Sequence, residues 1–195
     1  HFMYNTLNSI QDLILKSDIK NTNYYLSRFS SLMRKILEAS QHNTILLDEE
    51  IEILELYLTL EKLRFGDEFI YKITCDDAID TSRVLIPSII IQPFIENAIK
   101  HGLLHKKDNK KLEVKFELKS NTLVCIITDN GVGRKRAEEI KQRSPLKHKS
   151  FATKATEKRL TLINSYRQQA IDLQILDLEE NGVPKGTSVI LTIPL

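Results

Sequence analysis

The sequence contains no tryptophan, only two cysteines and no long hydrophobic run among its 195 residues. Without an apolar stretch of about 18–20 residues, it predicts no membrane-spanning helix in this chain. Two cysteines are too few for a disulfide framework, so we expect Cys75 and Cys125 to be reduced in a cytoplasmic compartment. The content of 42% apolar and 28% charged residues is typical of a globular protein and excludes disordered and collagen-like chains.

The chain also lacks an initiator methionine and a leader peptide, and we expect it to be part of a longer protein. Its net charge of +2 conceals an uneven distribution. Residues 134–159 carry ten Lys or Arg against three Glu, a local net charge of +7 that leaves −5 for the rest. Such a segment attracts phosphates of a nucleotide, a nucleic acid or an anionic lipid, although a solvated charged loop is an alternative.

The first 65 residues contain no glycine or proline and show helical periodicity. A second helix is predicted to begin near Asp48, where three acidic residues favour the positive end of the helix dipole. This helix has two apolar stripes, one through Leu54 and Leu58 and one through Leu56 and Leu60. Since both stripes must be covered, we infer dimerisation through this region or packing against a second domain.

After Gly66 the pattern predicts alternating strands and helices. Alternation of apolar and charged residues over 112–119 indicates a half-buried strand, and the apolar run 123–128 indicates a central one. The other predicted elements are strands over 70–75, 173–178 and 188–193, helices over 88–104 and 156–170, and a loop over 134–150 with a short helix near 137–143. Together they predict an α+β sandwich, with helices on one face of a mixed sheet.

Asp129-Asn130-Gly131-Val132-Gly133 follows the predicted central strand directly. Asn-Gly between apolar runs is typical of a hairpin turn, but a basic segment follows at this point instead of a strand. A carboxylate at the end of a buried strand, followed by glycines that let a ligand approach the backbone, suits recognition of a base amino group.

A second polar cluster interrupts an otherwise apolar helix at Glu96, Asn97, Lys100 and His101. An asparagine carbonyl can bind Mg²⁺, and the two basic residues one turn later can face phosphate oxygens. The alternative is an ordinary amphipathic face. His101 and His105 have a spacing that suits a metal pair, but no third ligand is apparent, and structural zinc is not expected.

The order of these clusters, followed by a long loop and then Gly186-Thr187, resembles the ATP-binding domain of gyrases, heat-shock chaperones, mismatch-repair ATPases and histidine kinases. Within that group the sequence is most similar to the LytS-type sensor histidine kinases. Residues 1–10 resemble their phosphoacceptor box, and Leu47 to Phe65 resembles their second helical signature. Residues 86–102 match their asparagine box, so the resemblance covers essentially the whole chain.

The resemblance implies specific roles. His1 would accept the γ-phosphoryl group, and Asn5, four residues later, would orient water for dephosphorylation of the partner. Asn97 would hold Mg²⁺ beside the catalytic residue Glu96, and Asp129 would bind the adenine amino group of ATP. The other residues implied to bind ATP are Lys100, His101, Gly131, Gly133, Thr153 and Thr187, with residues 134–150 as a lid.

The resemblance also implies an architecture: a helical dimerisation and phosphoacceptor region over 1–66, then a Bergerat-type α/β sandwich with a mixed sheet over 67–195. The implied partners are a second copy of the chain and a response regulator of the LytTR type, with no nucleic acid. The chain would be the cytoplasmic portion of a sensor of the cytoplasmic membrane, anchored through segments that lie outside it.

One position departs from the family pattern. Ala152 stands where a glycine usually opens the helix after the lid. A nucleotide-binding signalling scaffold without phosphotransfer is therefore an alternative. A basic nucleic-acid-binding module is a weaker one, because Phe151 is the only aromatic residue in the basic stretch.

Overall fold

The computed structural model of the chain describes residues 2–143, 151–166 and 169–195. The chain passes between two units more than once: residues up to Phe69 and Thr81–Ile89 form the first, and Ile70–Asp80 and Ile90–Leu195 form the second. His1 and residues 144–150 of the predicted lid lie outside the described residues. Among the helices that are described, none is both long enough and apolar enough to cross a bilayer.

Six α-helices and seven strands make up the regular structure of the described residues. The helices are α1 (Phe2–Leu15), α2 (Ile19–Ser40), α3 (Leu47–Phe65), α4 (Gln92–Asn97), α5 (Arg134–Arg143) and α6 (Phe151–Tyr166), and α4 continues into a π-helical turn over Ala98–Leu103. The strands are β1 (Thr44–Leu46), β2 (Phe69–Cys75), β3 (Leu85–Pro87), β4 (Lys110–Lys119), β5 (Thr122–Asp129), β6 (Asp172–Glu180) and β7 (Val183–Pro194).

In the first unit, α3 is the central helix. Its first turn carries Asp48, Glu49 and Glu50, and its last turn carries Lys62 and Arg64, as the helix dipole favours. Both of its apolar stripes are buried, and α1, α2 and β1 pack against it within this unit. Packing inside the first unit therefore provides contacts for the two-sided apolar character of this helix.

The helix predicted over residues 88–104 begins at Gln92 in the structure, so the prediction was too long at its start. Directly before the predicted helix, residues 85–87 form β3, which pairs antiparallel with β1. Ile89 has a φ of +52°, which is incompatible with a helix and strained for a β-branched residue. Its N–H donates to Oε2 of the buried Glu50 at 2.8 Å, and the Ser88 hydroxyl donates to the His42 carbonyl at 2.6 Å. These long-range contacts override the local helical pattern.

The second unit is built on a five-stranded sheet in the order β2-β4-β5-β7-β6. Strand β5 pairs antiparallel with β4 and with β7, and β7 pairs antiparallel with β6. The register of β5 on β7 places Asp129 opposite Thr187. Leu112, Val114 and Phe116 are buried and alternate with exposed charged residues, as the sequence predicts for β4. The π-helical turn contacts β4, β5 and β7, α5 contacts β7, and α4 packs against the turn and α6, so the α+β fold is confirmed.

Two predicted elements after β5 have different bounds in the structure. The segment that follows Gly133 is helical from Arg134 to Arg143, whereas the sequence predicted a loop with a short helix near 137–143. The next helix begins at Phe151, five residues before the predicted start. Ala152 is therefore helical, a conformation that alanine adopts readily.

Candidate functional site

Asp129 ends β5 and is only 4% exposed. Its Oδ1 accepts the backbone N–H of Gly131 at 2.8 Å, and its carboxylate also accepts a backbone hydrogen bond from Thr187. Burial raises the pKa of Asp129 to about 6, and the two backbone bonds and the charge of Lys106 oppose that shift. The result is a desolvated carboxylate held at the end of a rigid strand, suited to accepting a hydrogen bond from a ligand.

Two glycines make room for this carboxylate. A Cβ on Gly102 would lie 2.6 Å from Oδ1 of Asp129, and a Cβ on Gly131 would collide with the backbone of Gly102. The backbones of the π-helical turn and of the Asp-Asn-Gly segment therefore pack directly on each other. The Val132 N–H donates to the Gly102 carbonyl at 3.3 Å and joins the two segments.

The π-helical turn places the polar cluster beside this point. Leu104 N–H donates to the Ile99 carbonyl at 2.8 Å, the five-residue spacing that defines a π-helix. Such turns are frequent at functional sites. Lys100 is exposed and His101 is half-buried in this turn.

Asn97 and Glu96 lie at the end of α4. Glu96 is exposed, and its Oε1 accepts the Gln92 side-chain amide at 2.8 Å. Asn97 is half-buried, and its amide oxygen is of the hard type that Mg²⁺ prefers. In the part of the chain that the structure describes, no cluster of three or more His, Cys, Asp or Glu side chains could hold a metal. The amide oxygen of Asn97 can supply one ligand to Mg²⁺, and the other ligands would have to come from water or a bound substrate.

Asn130 fixes the loop that precedes β4. Its Oδ1 accepts the Lys111 N–H and its Nδ2 donates to the Asn109 carbonyl, both at 2.8 Å. Its own carbonyl accepts the Lys106 ammonium at 2.8 Å. These three bonds hold the residue next to Asp129 in a single position.

The first three residues of the basic stretch 134–159 form ion pairs with carboxylates. Arg134 donates twice to the carboxylate of Asp177 on β6, at 2.7 Å each, and the paired guanidinium lowers the pKa of Asp177. Lys135 lies 3.5 Å from Glu179, and Arg136 lies 2.7 Å from Glu139. The start of α5 is therefore attached to the edge strand β6.

The structure brings several of the predicted site residues together. In the second unit, Asp129, Gly131 and Thr187 are joined by hydrogen bonds to the carboxylate. Gly133 follows on the same segment, and its carbonyl accepts the Ala137 N–H at 3.0 Å. Asn5 belongs to α1 in the first unit, where its backbone carbonyl accepts the Ser9 hydroxyl. His1 and the side chain of Thr153 lie outside the described part of the chain.

Sequence reasoning gave no role to Asn130, Lys106 or Gly102, although the structure places all three at the site. Gly186, which the sequence analysis included in its motif order, also lies here, because a Cβ there would overlap the Asp129 backbone. The glycine pattern could have indicated Gly102. Nothing in the sequence indicates the bonds of Asn130 and Lys106, which depend on the fold.

Comparisons with known proteins show which family the sequence resembles. A family model described as histidine kinase matches residues 1–69. The chain is 34% identical over 133 residues to sensor protein LytS of Staphylococcus haemolyticus, which covers 68% of this chain and 22% of that protein. It is 31% identical over 156 residues to sensor protein kinase HptS of Staphylococcus aureus, covering 79% of this chain and 29% of that protein. The chain therefore spans less than a third of the length of these relatives.

Solved structures share the fold. The histidine kinase domain of the blue-light activated kinase EL346 from Erythrobacter litoralis superposes with a TM-score of 0.52 at 15% identity, covering 93% of this chain and 83% of that one. The catalytic domain of histidine kinase ThkA gives a TM-score of 0.50 at 16% identity, covering 77% and 94%. At these identities the likeness concerns the fold alone.

Proposed function

Since this chain belongs to the LytS-type sensor histidine kinase family, we propose that it carries the ATP-dependent autophosphorylating part of a two-component sensor. The observation that carries the proposal is the buried carboxylate of Asp129. A carboxylate costs stability when it is desolvated at a strand end, so its presence there calls for a ligand donor. The adenine amino group is such a donor.

The reaction that we propose is phosphoryl transfer to His1. A neutral imidazole nitrogen of His1 forms a bond to the γ-phosphorus of ATP while the bond to the β–γ bridging oxygen breaks. ADP leaves with the electron pair of that bond, and the proton on the other ring nitrogen passes to a base or to solvent. Phosphoryl transfer needs little beyond positioning and charge neutralisation, which the polar helix end can provide.

Each cofactor-binding residue has a defined task in this proposal. Asp129 accepts the adenine amino group, and Thr187 and Gly131 hold its carboxylate through their backbone N–H groups. Lys100 and His101 face the phosphates from the π-helical turn. The remaining proposed elements are Gly133 at the pocket wall, Thr153 at the start of α6 and residues 134–150 as the lid.

Asn97 would hold Mg²⁺ together with the phosphates, beside Glu96 as a catalytic residue. When it is bound, Mg²⁺ neutralises phosphate charge in the transition state. The Gln92 amide, which donates to Oε1 of Glu96, restricts this carboxylate to one orientation at the end of α4.

We further propose that the protein works as a homodimer with a response regulator of the LytTR type. Support for an association through the helical unit comes from exposed apolar side chains on α1 and α2, among them Met3, Leu7, Ile14, Leu15 and Leu37. Asn5, one turn after His1, would orient water for dephosphorylation of the regulator. We propose that the chain is the cytoplasmic portion of a sensor that is anchored in the cytoplasmic membrane through segments outside this sequence.

The experiment is incorporation of acid-labile phosphate from Mg-ATP. A version of the chain that continues upstream of His1 should incorporate phosphate, because terminal residues are poorly ordered unless they are tied down and His1 would no longer be terminal. The variant His1→Gln should not incorporate it, and Asn5→Ala should retain incorporation but lose dephosphorylation of the regulator. If His1→Gln incorporates phosphate at the original rate, the assignment of His1 is wrong.

Ala152 favours a second candidate function, a nucleotide-binding signalling scaffold without phosphotransfer. Retention of ATP without incorporation of phosphate would support it. We do not propose nucleic-acid binding, because Arg134, Lys135 and Arg136 are already paired with carboxylates of the chain.

A further inference from the structure

The second helical signature, Leu47 to Phe65, has no role in the function proposed above, yet it contains buried polar side chains. Tyr57 on α3 is 2% exposed, and its ring centroid lies 4.6 Å from that of Phe2, with an angle of 38° between the rings. Phe2 is the first residue of α1 and is joined to His1 by one peptide bond. The signature helix is thus in contact with the beginning of the phosphoacceptor box.

A buried carboxylate holds the Tyr57 ring. Glu61 is 3% exposed, and its Oε1 accepts the Tyr57 hydroxyl at 3.3 Å. The Arg64 guanidinium lies 3.4 Å from Oε2 of Glu61 and 5.0 Å from the centroid of the Phe65 ring. Apolar side chains could fill the same volume without the desolvation that a buried carboxylate requires. The cluster of Tyr57, Glu61 and Arg64 therefore fixes the orientation of the Tyr57 ring. Burial of the Glu61 carboxylate costs free energy that apolar packing would not, so the cluster does more than fill space.

Phe2 also continues the inner face of α1. Thr6 and Ile10 are buried on this helix, and the spacing of four residues places Phe2, Thr6 and Ile10 on one side. The contact between Phe2 and Tyr57 therefore extends this inner face to the residue that is bonded directly to His1.

We propose that Tyr57 is a positioning residue for phosphoryl transfer to His1. Its ring packs on Phe2 and so fixes the part of α1 next to His1, while Glu61 and Arg64 hold the ring itself. This proposal rests on His1 being the phosphoacceptor. A displacement of about 1 Å can lower the rate of a positioned reaction about 100-fold, so loss of this seat should reduce turnover.

The test is a double-mutant cycle in the version of the chain that continues upstream of His1. The initial rate of phosphate incorporation is measured against Mg-ATP concentration for Phe2→Leu, Tyr57→Leu and the double variant. Each single change should lower kcat about 10- to 100-fold and leave the KM for ATP unchanged. The double variant should be no slower than the slower single variant, because both changes remove the same contact.

Two further variants separate positioning from general loss of structure. Tyr57→Phe keeps the ring contact with Phe2 but loses the hydroxyl bond to Glu61, so its rate should lie between those of the unsubstituted chain and Tyr57→Leu. Tyr24→Leu is the matched control, because Tyr24 also contacts another ring, that of Tyr25 at 5.0 Å, but lies on α2 and is 45% exposed. It should leave kcat unchanged. If Tyr57→Leu does not fold, Phe2→Leu and Tyr57→Phe still decide the question.

The outcomes are distinguishable from a failure of the proposed function. If the unsubstituted chain incorporates no phosphate, or His1→Gln still incorporates it, the proposed function fails and this inference fails with it. If His1 is phosphorylated but Phe2→Leu and Tyr57→Leu act additively, or raise KM without lowering kcat, the positioning role is wrong while the kinase function stands.

Discussion

Relative to the unsubstituted protein, the Asp129→Asn variant should become more stable as the pH rises. The proposed recognition of adenine should be lost in the same variant. Asp129 has a pKa of about 6 in the folded protein because its carboxylate is desolvated. An ordinary aspartate has a pKa near 4, so the unfolded chain releases this proton first. The contribution of Asp129 to the unfolding free energy is therefore largest below about pH 4. It falls as the pH rises from about 4 to about 6 and is then constant.

The size of this effect follows from the two pKa values. A difference of about two pKa units corresponds to about 3 kcal/mol of unfolding free energy over the full range. Between pH 4.5 and 7.5 the expected change is about 2 kcal/mol. Because the asparagine of the variant does not titrate, subtracting the two unfolding free energies cancels the titration of the other groups.

The assay is urea unfolding of both proteins from pH 4.5 to 7.5. Asp177→Asn is the contrasting control, because its ion pair with Arg134 lowers the pKa of Asp177. That pair contributes stability above the ordinary aspartate pKa, near 4, and loses it only as the pH falls below that value, so between pH 4.5 and 7.5 the Asp177 difference should stay nearly constant. A difference between the unsubstituted protein and Asp129→Asn that does not change with pH would refute the reasoning.

The same variant tests the ligand. The carboxylate can accept from the adenine amino group, whereas an amide can turn its own NH₂ towards it and leave a buried donor unpaired, which costs about 1–3 kcal/mol. Calorimetry with ATP should therefore show about 5- to 150-fold weaker binding for Asp129→Asn, with the difference between ATP and GTP abolished. Unchanged affinity for ATP would remove Asp129 from the adenine site.

Three other substitutions have expected results. Gly102→Ala should weaken ATP binding about 10- to 100-fold in calorimetry, because the new methyl group would overpack the Asp129 carboxylate, and unchanged binding would contradict the close approach of Gly102 to Asp129. Glu50→Ala should lower the unfolding free energy by about 1–3 kcal/mol, because the Ile89 N–H loses its acceptor, whereas Glu50→Gln keeps an acceptor oxygen and should cost less. Asn130→Asp should reduce both stability and ATP affinity, since a carboxylate oxygen would then face the Asn109 carbonyl; equal urea midpoints would argue against this bond.

Much of the second unit could be predicted because its signals are local. The alternation from Leu112 to Leu118 determines which face of β4 is buried, and the end of the apolar run places Asp129 at the end of β5. The family resemblance, which depends on the order of the motifs, then predicted that the polar cluster around Asn97 belongs to the same site as this carboxylate. The family resemblance and the α+β class are confirmed.

The features that were missed depend on contacts between distant residues. Ile89 lies in a sequence that favours a helix, but Glu50 and the Ser88 contacts hold the chain in another conformation. Glu50 and Glu61 belong to a helix whose apolar stripes suggest only packing, so their burial has no signal in the pattern. The π-helical turn likewise differs from an ordinary helix by one hydrogen-bond register, which periodicity does not resolve.

The path of the chain between its two units limits how such a protein can be divided or recombined. Because Thr81–Ile89 belongs to the first unit and Ile70–Asp80 to the second, no single cut separates them. A fragment that starts at residue 70 would carry β3 without β1, its pairing strand. Exchange of the second unit between related proteins would therefore need matched junctions wherever the chain crosses from one unit to the other. Because the chain crosses between the two units more than once, we expect evolution to have kept both units together in one gene.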